Sequence, residues 1–273
     1  MNAIGWVNTT AKERLYFFIW LAGILLLIVP RMIDINSFVD SDEAFSILLA
    51  RQNFGNFMTG AIEDRPHPPL HVLMLFVIAH LNLHTALFGR VFGIAGSIAG
   101  FFILTRMVFK TTASMPVAIA VLLVFAFSDF FLYRSTTIRP YSIIIPLGCV
   151  QLYFFVSMLR EATTESRKLS ISHSGLRWWT VSSVFLMWAQ YLSVPVTGTE
   201  FLILALFLDR AAIVRIIAIL AAAALGLAFW YYLGSVNAPS LTETWWATHR
   251  PGAREFIFTV LTFLAQRPYR QCG

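Results

Sequence analysis

Apolar positions along this chain come in long blocks, with neither the alternation of a half-buried strand nor the narrow stripe of a surface helix. Blocks near or above the roughly 20 residues that cross a bilayer fall at 16–30, 86–108, 115–132 and 141–159, and others follow at 178–195, 198–208 and 211–234. Each is predicted to be a helix, because in lipid every backbone polar group has to pair within its own segment. The block at 70–83 is only about 14 residues long and contains His71 and His80, a length that predicts a re-entrant or interfacial segment. The last block, 256–264, is too short to cross before Arg267 and Pro268, which predicts an incomplete molecule.

Composition agrees with the pattern. Of 273 residues, 58% are apolar and 12% charged, and the mean hydropathy is +0.72; soluble domains run near 45–50% and about 25%. The expected fold class is all-α, a polytopic transmembrane helix bundle forming one domain over residues 1–273. No cleavage pattern follows the block at 16–30, which Lys12, Arg14 and Arg31 flank, so it is expected to stay as a first span. The net charge of +6 comes from basic residues scattered at block ends, without the face or cluster that nucleic acid requires. Lys12 and Arg14, Arg106 and Lys110, and Arg160, Arg167, Lys168 and Arg177 are expected on the cytoplasmic side by the positive-inside rule. With 70–83 re-entrant, this parity puts 31–69 and the turn holding Arg134 and Arg139 on the external face. Cys149 and Cys272 lie far apart and indicate neither a disulfide framework nor a metal site.

The external loop 31–69 holds six of the fourteen acidic residues: Asp34, Asp40, Asp42, Glu43, Glu63 and Asp64. Asp40 or Ser41 can cap a helix starting at Asp42, with Phe45, Leu48 and Leu49 as its apolar stripe and a stop at Gly55. Such a helix lies on the membrane surface and holds Asp42 and Glu43 at the boundary of water and lipid. The prolines of Arg65-Pro66-His67-Pro68-Pro69-Leu70 keep the backbone extended and display His67 where the chain dips toward the membrane. Arg134, Arg139 and Tyr141 reach the same face, with Pro140 at the start of the next helix. Arg90 and Asp129 are charges inside apolar blocks, where Arg90 is expected to snorkel and Asp129 to pair with Arg134. The pairs Trp178–Trp179 and Trp245–Trp246 read as interfacial belt residues.

The strings Asp42-Glu43-Ala44-Phe45-Ser46 and His67-Pro68-Pro69-Leu70, in one external loop after the first span, resemble the GT-C class of membrane glycosyltransferases. The similarity is to the family 39 type, which includes protein O-mannosyltransferases and aminoarabinose transferases. Arg139-Pro140-Tyr141-Ser142 is similar to that family's later Arg-x-Tyr element. The resemblance covers roughly residues 10–200. It implies inverting transfer of a sugar from a polyprenyl-phosphate carrier to an acceptor hydroxyl at the external face. On that reading Asp42 is the base, Glu43 supports acceptor or donor binding, and His67 with one of Arg134 or Arg139 stabilises the leaving phosphate near Tyr141. Membrane lipid and the lipid-linked donor are the expected partners, no metal or other cofactor is assigned, and short loops favour a bacterial plasma membrane.

Two rival readings follow from the same features. A transporter or flippase would also be polytopic, but its site is expected at mid-membrane on broken helices of repeated halves, and no repeat is visible. An inactive truncated transferase is the other, since the family's members carry later spans.

Overall fold

The computed structural model describes residues 11–237 apart from 34, 36–38, 65–66, 113–114, 166–168 and 171; Trp245, Trp246 and the block at 256–264 lie outside the described residues. Among the described residues eleven helices follow one another: α1 (Ala11–Ile33), α2 (Ser41–Ala50), α3 (Phe54–Glu63), α4 (Leu70–His80), α5 (Thr85–Thr112), α6 (Met115–Phe127), α7 (Asp129–Thr136), α8 (Tyr141–Glu165), α9 (Ser174–Ala189), α10 (Ser193–Ala205) and α11 (Arg210–Asn237). Among the described residues there is no strand, only a lone bridge between Leu169 and Leu208. The all-α expectation holds.

Among the described residues three stretches are long and apolar enough to cross a bilayer: Thr85–Thr111, Tyr141–Thr164 and Arg210–Val236. Several of the other apolar blocks are broken or shortened as helices. The block at 115–132 breaks at Ser128, where an extended backbone ends α6 and starts α7. Those at 178–195 and 198–208 become α9 and α10, of 16 and 13 residues, separated by a turn at Gln190–Leu192. At 11 residues, α4 is about 16 Å long, about half a bilayer core.

Two further expectations are corrected. The helix after Asp40 stops at Ala50, not Gly55, because the Asn53 side chain accepts the Asn56 N–H and caps a new helix through Gly55. Phe45 and Leu48 are exposed as expected, whereas Leu49 turns inward onto Phe57, Ala61 and Val72. Trp178 is exposed, but Trp179 is a core residue, fully buried with its indole N–H donated to Glu200 at 2.8 Å.

The long helices give the molecule two ends. At one meet Arg31, α2, the start of α5, and the α7–α8 turn: Arg31 donates to Ser135 Oγ at 2.6 Å, and Arg90 donates to the Ile35 carbonyl at 2.7 Å. At the other, Arg160 of α8 donates to the Lys110 carbonyl at 2.6 Å, and beside the start of α11 the Leu169 N–H donates to the Phe207 carbonyl while the Leu169 carbonyl accepts the Asp209 N–H. Small residues let α5 approach closely: a Cβ at Gly96 would fall 2.5 Å from the Ser142 carbonyl oxygen, and one at Gly100 would fall 3.1 Å from Cys149 Sγ. This packing fixes the 135–142 segment against α5. Farther along α8, Gln151 donates to Ser183 Oγ at 2.9 Å and Thr197 Oγ1 at 3.0 Å, a buried network that ties α8 to α9 and α10.

Candidate functional site

The first end is organised by Glu43. Asp40 is the N-cap of α2, its carboxylate accepting the Glu43 N–H at 2.7 Å while Glu43 Oε2 accepts the Asp40 N–H at 3.2 Å, a reciprocal capping box. Helix periodicity then turns Glu43 inward, where it is buried. Its Oε1 accepts the Ile138 N–H at 2.6 Å and its Oε2 lies 3.5 Å from the Arg90 guanidinium. Arg90 therefore does not snorkel; it is buried between Glu43 and the Ile35 carbonyl. Both oxygens of Glu43 hold the protein together, which places the residue beneath the surface and not on it.

Asp42, one residue earlier, points the other way. Its side chain is 63% exposed and pairs with Arg139, whose side chain is 19% exposed. The pair joins the Asp42-Glu43 segment to the Arg139-Pro140-Tyr141 segment. Arg139 is held by its own turn, since its carbonyl accepts the Ser142 hydroxyl at 3.1 Å and Pro140 starts the helix. Between α3 and α4, His67 Nδ1 lies 3.2 Å from Asp64 Oδ1, and its N–H bonds the Asp64 carbonyl at the same distance.

His71 is the second residue of α4 and is buried, with no hydrogen-bond partner for Nε2 among the described residues. Burial, then the nearby charges of His67 and Arg139, push its pKa down to about 3 and keep the ring neutral. No local sequence signal pairs it with His67, which precedes α4 across Pro68 and Pro69.

Arg134 and Tyr141 lie on a different side of the 134–141 turn. The Arg134 guanidinium sits 4.4 Å over the Tyr141 ring and 5.3 Å over that of Tyr133. Tyr141 packs with Trp20 against the cluster of Leu27, Phe101 and Ala126. Arg139 is thus the arginine brought to Asp42. The Asp129 side chain lies outside the described residues, and its expected pairing with Arg134 with it.

A wall absent from the sequence reading closes the site's far side. Tyr191, in the α9–α10 turn, stacks edge-on against Tyr231 of α11 at 6.3 Å between rings. Its hydroxyl is buried without a hydrogen-bond partner among the described residues. Burial first, with Tyr231 and Asp64 adding to it, pushes the phenol up to about 12. Trp230 packs against the cluster of Leu49, Phe57, Ala61 and Val72, and its indole N–H is likewise unpartnered among the described residues. No local pattern announces this wall, because its residues meet only through the packing of α11 on α3 and α9.

Chemically, this end offers an exposed carboxylate, a guanidinium suited to a phosphate, an acid-oriented imidazole and a buried neutral one. Among the described residues no three His, Cys, Asp or Glu side chains converge as a metal's ligand set. No protein-family model, no curated protein and no solved structure matches the chain.

Proposed function

We propose that this chain is a multi-pass membrane glycosyltransferase that moves a sugar from a polyprenyl-phosphate carrier to an acceptor hydroxyl at the outer face of a bacterial plasma membrane. The observation that carries the reading is the Asp42–Arg139 pair. Two motifs 97 residues apart in sequence meet at the end of apolar helices, one supplying a base and the other a phosphate ligand. The pair also gives an order to the steps. A donor phosphate competes with Asp42 for Arg139, and the carboxylate it displaces is then free to act. The acceptor O–H gives its proton to Asp42 as its oxygen bonds the anomeric carbon. The carbon–phosphate oxygen bond breaks with inversion, and the prenyl phosphate leaves as an anion needing no proton, held by Arg139 and His67.

Asp64 orients His67 in this scheme, and Glu43 acts indirectly by holding Ile138 next to Arg139. The tyrosine and indole wall faces the His67 turn as a boundary for the reacting sugar. A transporter draws less support: the buried polar network of Gln151 with Ser183 and Thr197 satisfies itself and offers nothing to a passing solute.

The test is Asp42→Asn in a transfer assay with polyprenyl-phosphate sugars. Loss of a general base lowers turnover by roughly 10² to 10⁴, with binding of the donor lipid kept. Transfer at the wild-type rate would remove Asp42 from the base role.

A further inference from the structure

The end of the helices opposite the candidate site carries a second polar constellation, used neither by the proposed chemistry nor by the core. Lys110 and Thr111 from the last turns of α5, and Ser157, Arg160, Glu161 and Thr164 from the last turns of α8, line a groove of about 270 Å³. The Lys110 ammonium donates to the Tyr153 hydroxyl at 2.9 Å and sits 5.6 Å over its ring, while Arg160 spends one N–H on the Lys110 carbonyl at 2.6 Å. Arg106 lies one turn earlier on the same helix α5.

Three cations are thus gathered with little to neutralise them. Among the described residues no carboxylate lies within 4 Å of Arg106, Lys110 or Arg160, and Glu161, the acid in the lining, is taken by His173 at 3.0 Å. Lys110 keeps two N–H donors, and Arg160 keeps four. The Ser157 hydroxyl adds a further donor at the groove wall. This is the donor set of a phosphate monoanion.

We infer that the groove binds the phosphate of an anionic phospholipid in the leaflet at this end of the protein. Both walls are helices long and apolar enough to cross a bilayer. Tyr153 lies about two turns before Arg160 on α8, and with Lys110 over its ring it is placed as tyrosine is between headgroup and acyl chain. A soluble phosphate would meet the same cations but gain nothing from that position. The site is independent of sugar transfer and stands whether or not the chain is a transferase.

The test is native mass spectrometry of the purified full chain with added phosphatidylglycerol or phosphatidylcholine. Wild type is expected to retain phosphatidylglycerol preferentially. The double variant Lys110→Gln, Arg160→Gln should weaken this about thirtyfold, since each basic side chain near the surface contributes roughly one factor of five. The charge-keeping Lys110→Arg, Arg160→Lys variant should retain the lipid, which separates charge loss from misfolding. Equal retention of both lipids by wild type, or undiminished phosphatidylglycerol retention in the Gln variant, would overturn the inference. So would displacement of the bound lipid by millimolar-range inorganic phosphate, which would identify a soluble-anion site instead.

Discussion

Asp42 and Glu43 are neighbours in sequence with opposite surroundings, and one helical step separates their roles. Glu43 is tied to Ile138, Asp40 and Arg90, so Glu43→Gln leaves the buried Arg90 charge facing an amide. Removing one partner of a buried pair costs about 3–5 kcal/mol, so a large fall in melting temperature in detergent is expected. Any loss of transfer should then follow the folded fraction, whereas Asp42→Asn should melt near wild type and lose turnover alone. His71 makes a separate prediction in pH. Its folded pKa of about 3 lies below the ordinary 6.5, so between those values the unfolded chain takes up a proton that the folded one refuses. Stability attributable to His71 is therefore intact above pH 6.5 and falls as pH drops, by about 1.4 kcal/mol per unit. Unfolding free energies measured at several pH values should show this slope in wild type and lose it in His71→Gln. An unchanged slope in the variant would mean that the ring is protonated in the fold.

At the scale of elements, legibility depended on whether a signal was local. The apolar blocks, the Asp40 cap and the proline-held His67 turn are all written in consecutive residues, and the helices beginning at Ser41, Leu70 and Tyr141 follow from them. The splits were harder. Residues 115–132 read as one apolar block although Ser128 breaks it, because hydrophobicity reports solvent and not backbone angle. Gly55 read as a stop because a glycine after a polar run resembles a helix end, while Asn53 two residues earlier began the next helix. Trp179 passed for a belt residue because its partner Glu200 lies 21 residues away. The glycines of α5 went unread for the same reason, since their use appears only against α8. They are open to test: Gly96→Ala forces a methyl onto the Ser142 carbonyl oxygen and should destabilise by about 1–3 kcal/mol. Gly148→Ala, with nothing within 4 Å of its Cβ position, should be neutral or slightly stabilising in the same melting experiment.

For the whole molecule, the separation of the two ends is the property on which both the proposed chemistry and the lipid groove depend. A helix of the length of Thr85–Thr111 extends about 40 Å, so Arg90 and Lys110 near its two ends belong to opposite membrane surfaces if it crosses. The acids of the 40–64 segment gather at one end, with the 134–141 turn, and the cations without carboxylates gather at the other. Such an asymmetry orients a chain in a membrane, because loops rich in Lys and Arg stay on the cytoplasmic side. Single cysteines at Phe45 and Tyr133, both exposed, and at Lys110 and Ser172, should therefore fall into two classes. After Cys149 and Cys272 are replaced by serine, a membrane-impermeant thiol reagent added to intact cells should label positions 45 and 133 and spare 110 and 172 until the membrane is opened. Labelling of all four from outside would mean that the helices lie along the membrane surface. If 45 and 133 divided instead, Asp42 and Arg139 would sit on opposite sides, and their ion pair, with the chemistry built on it, could not form.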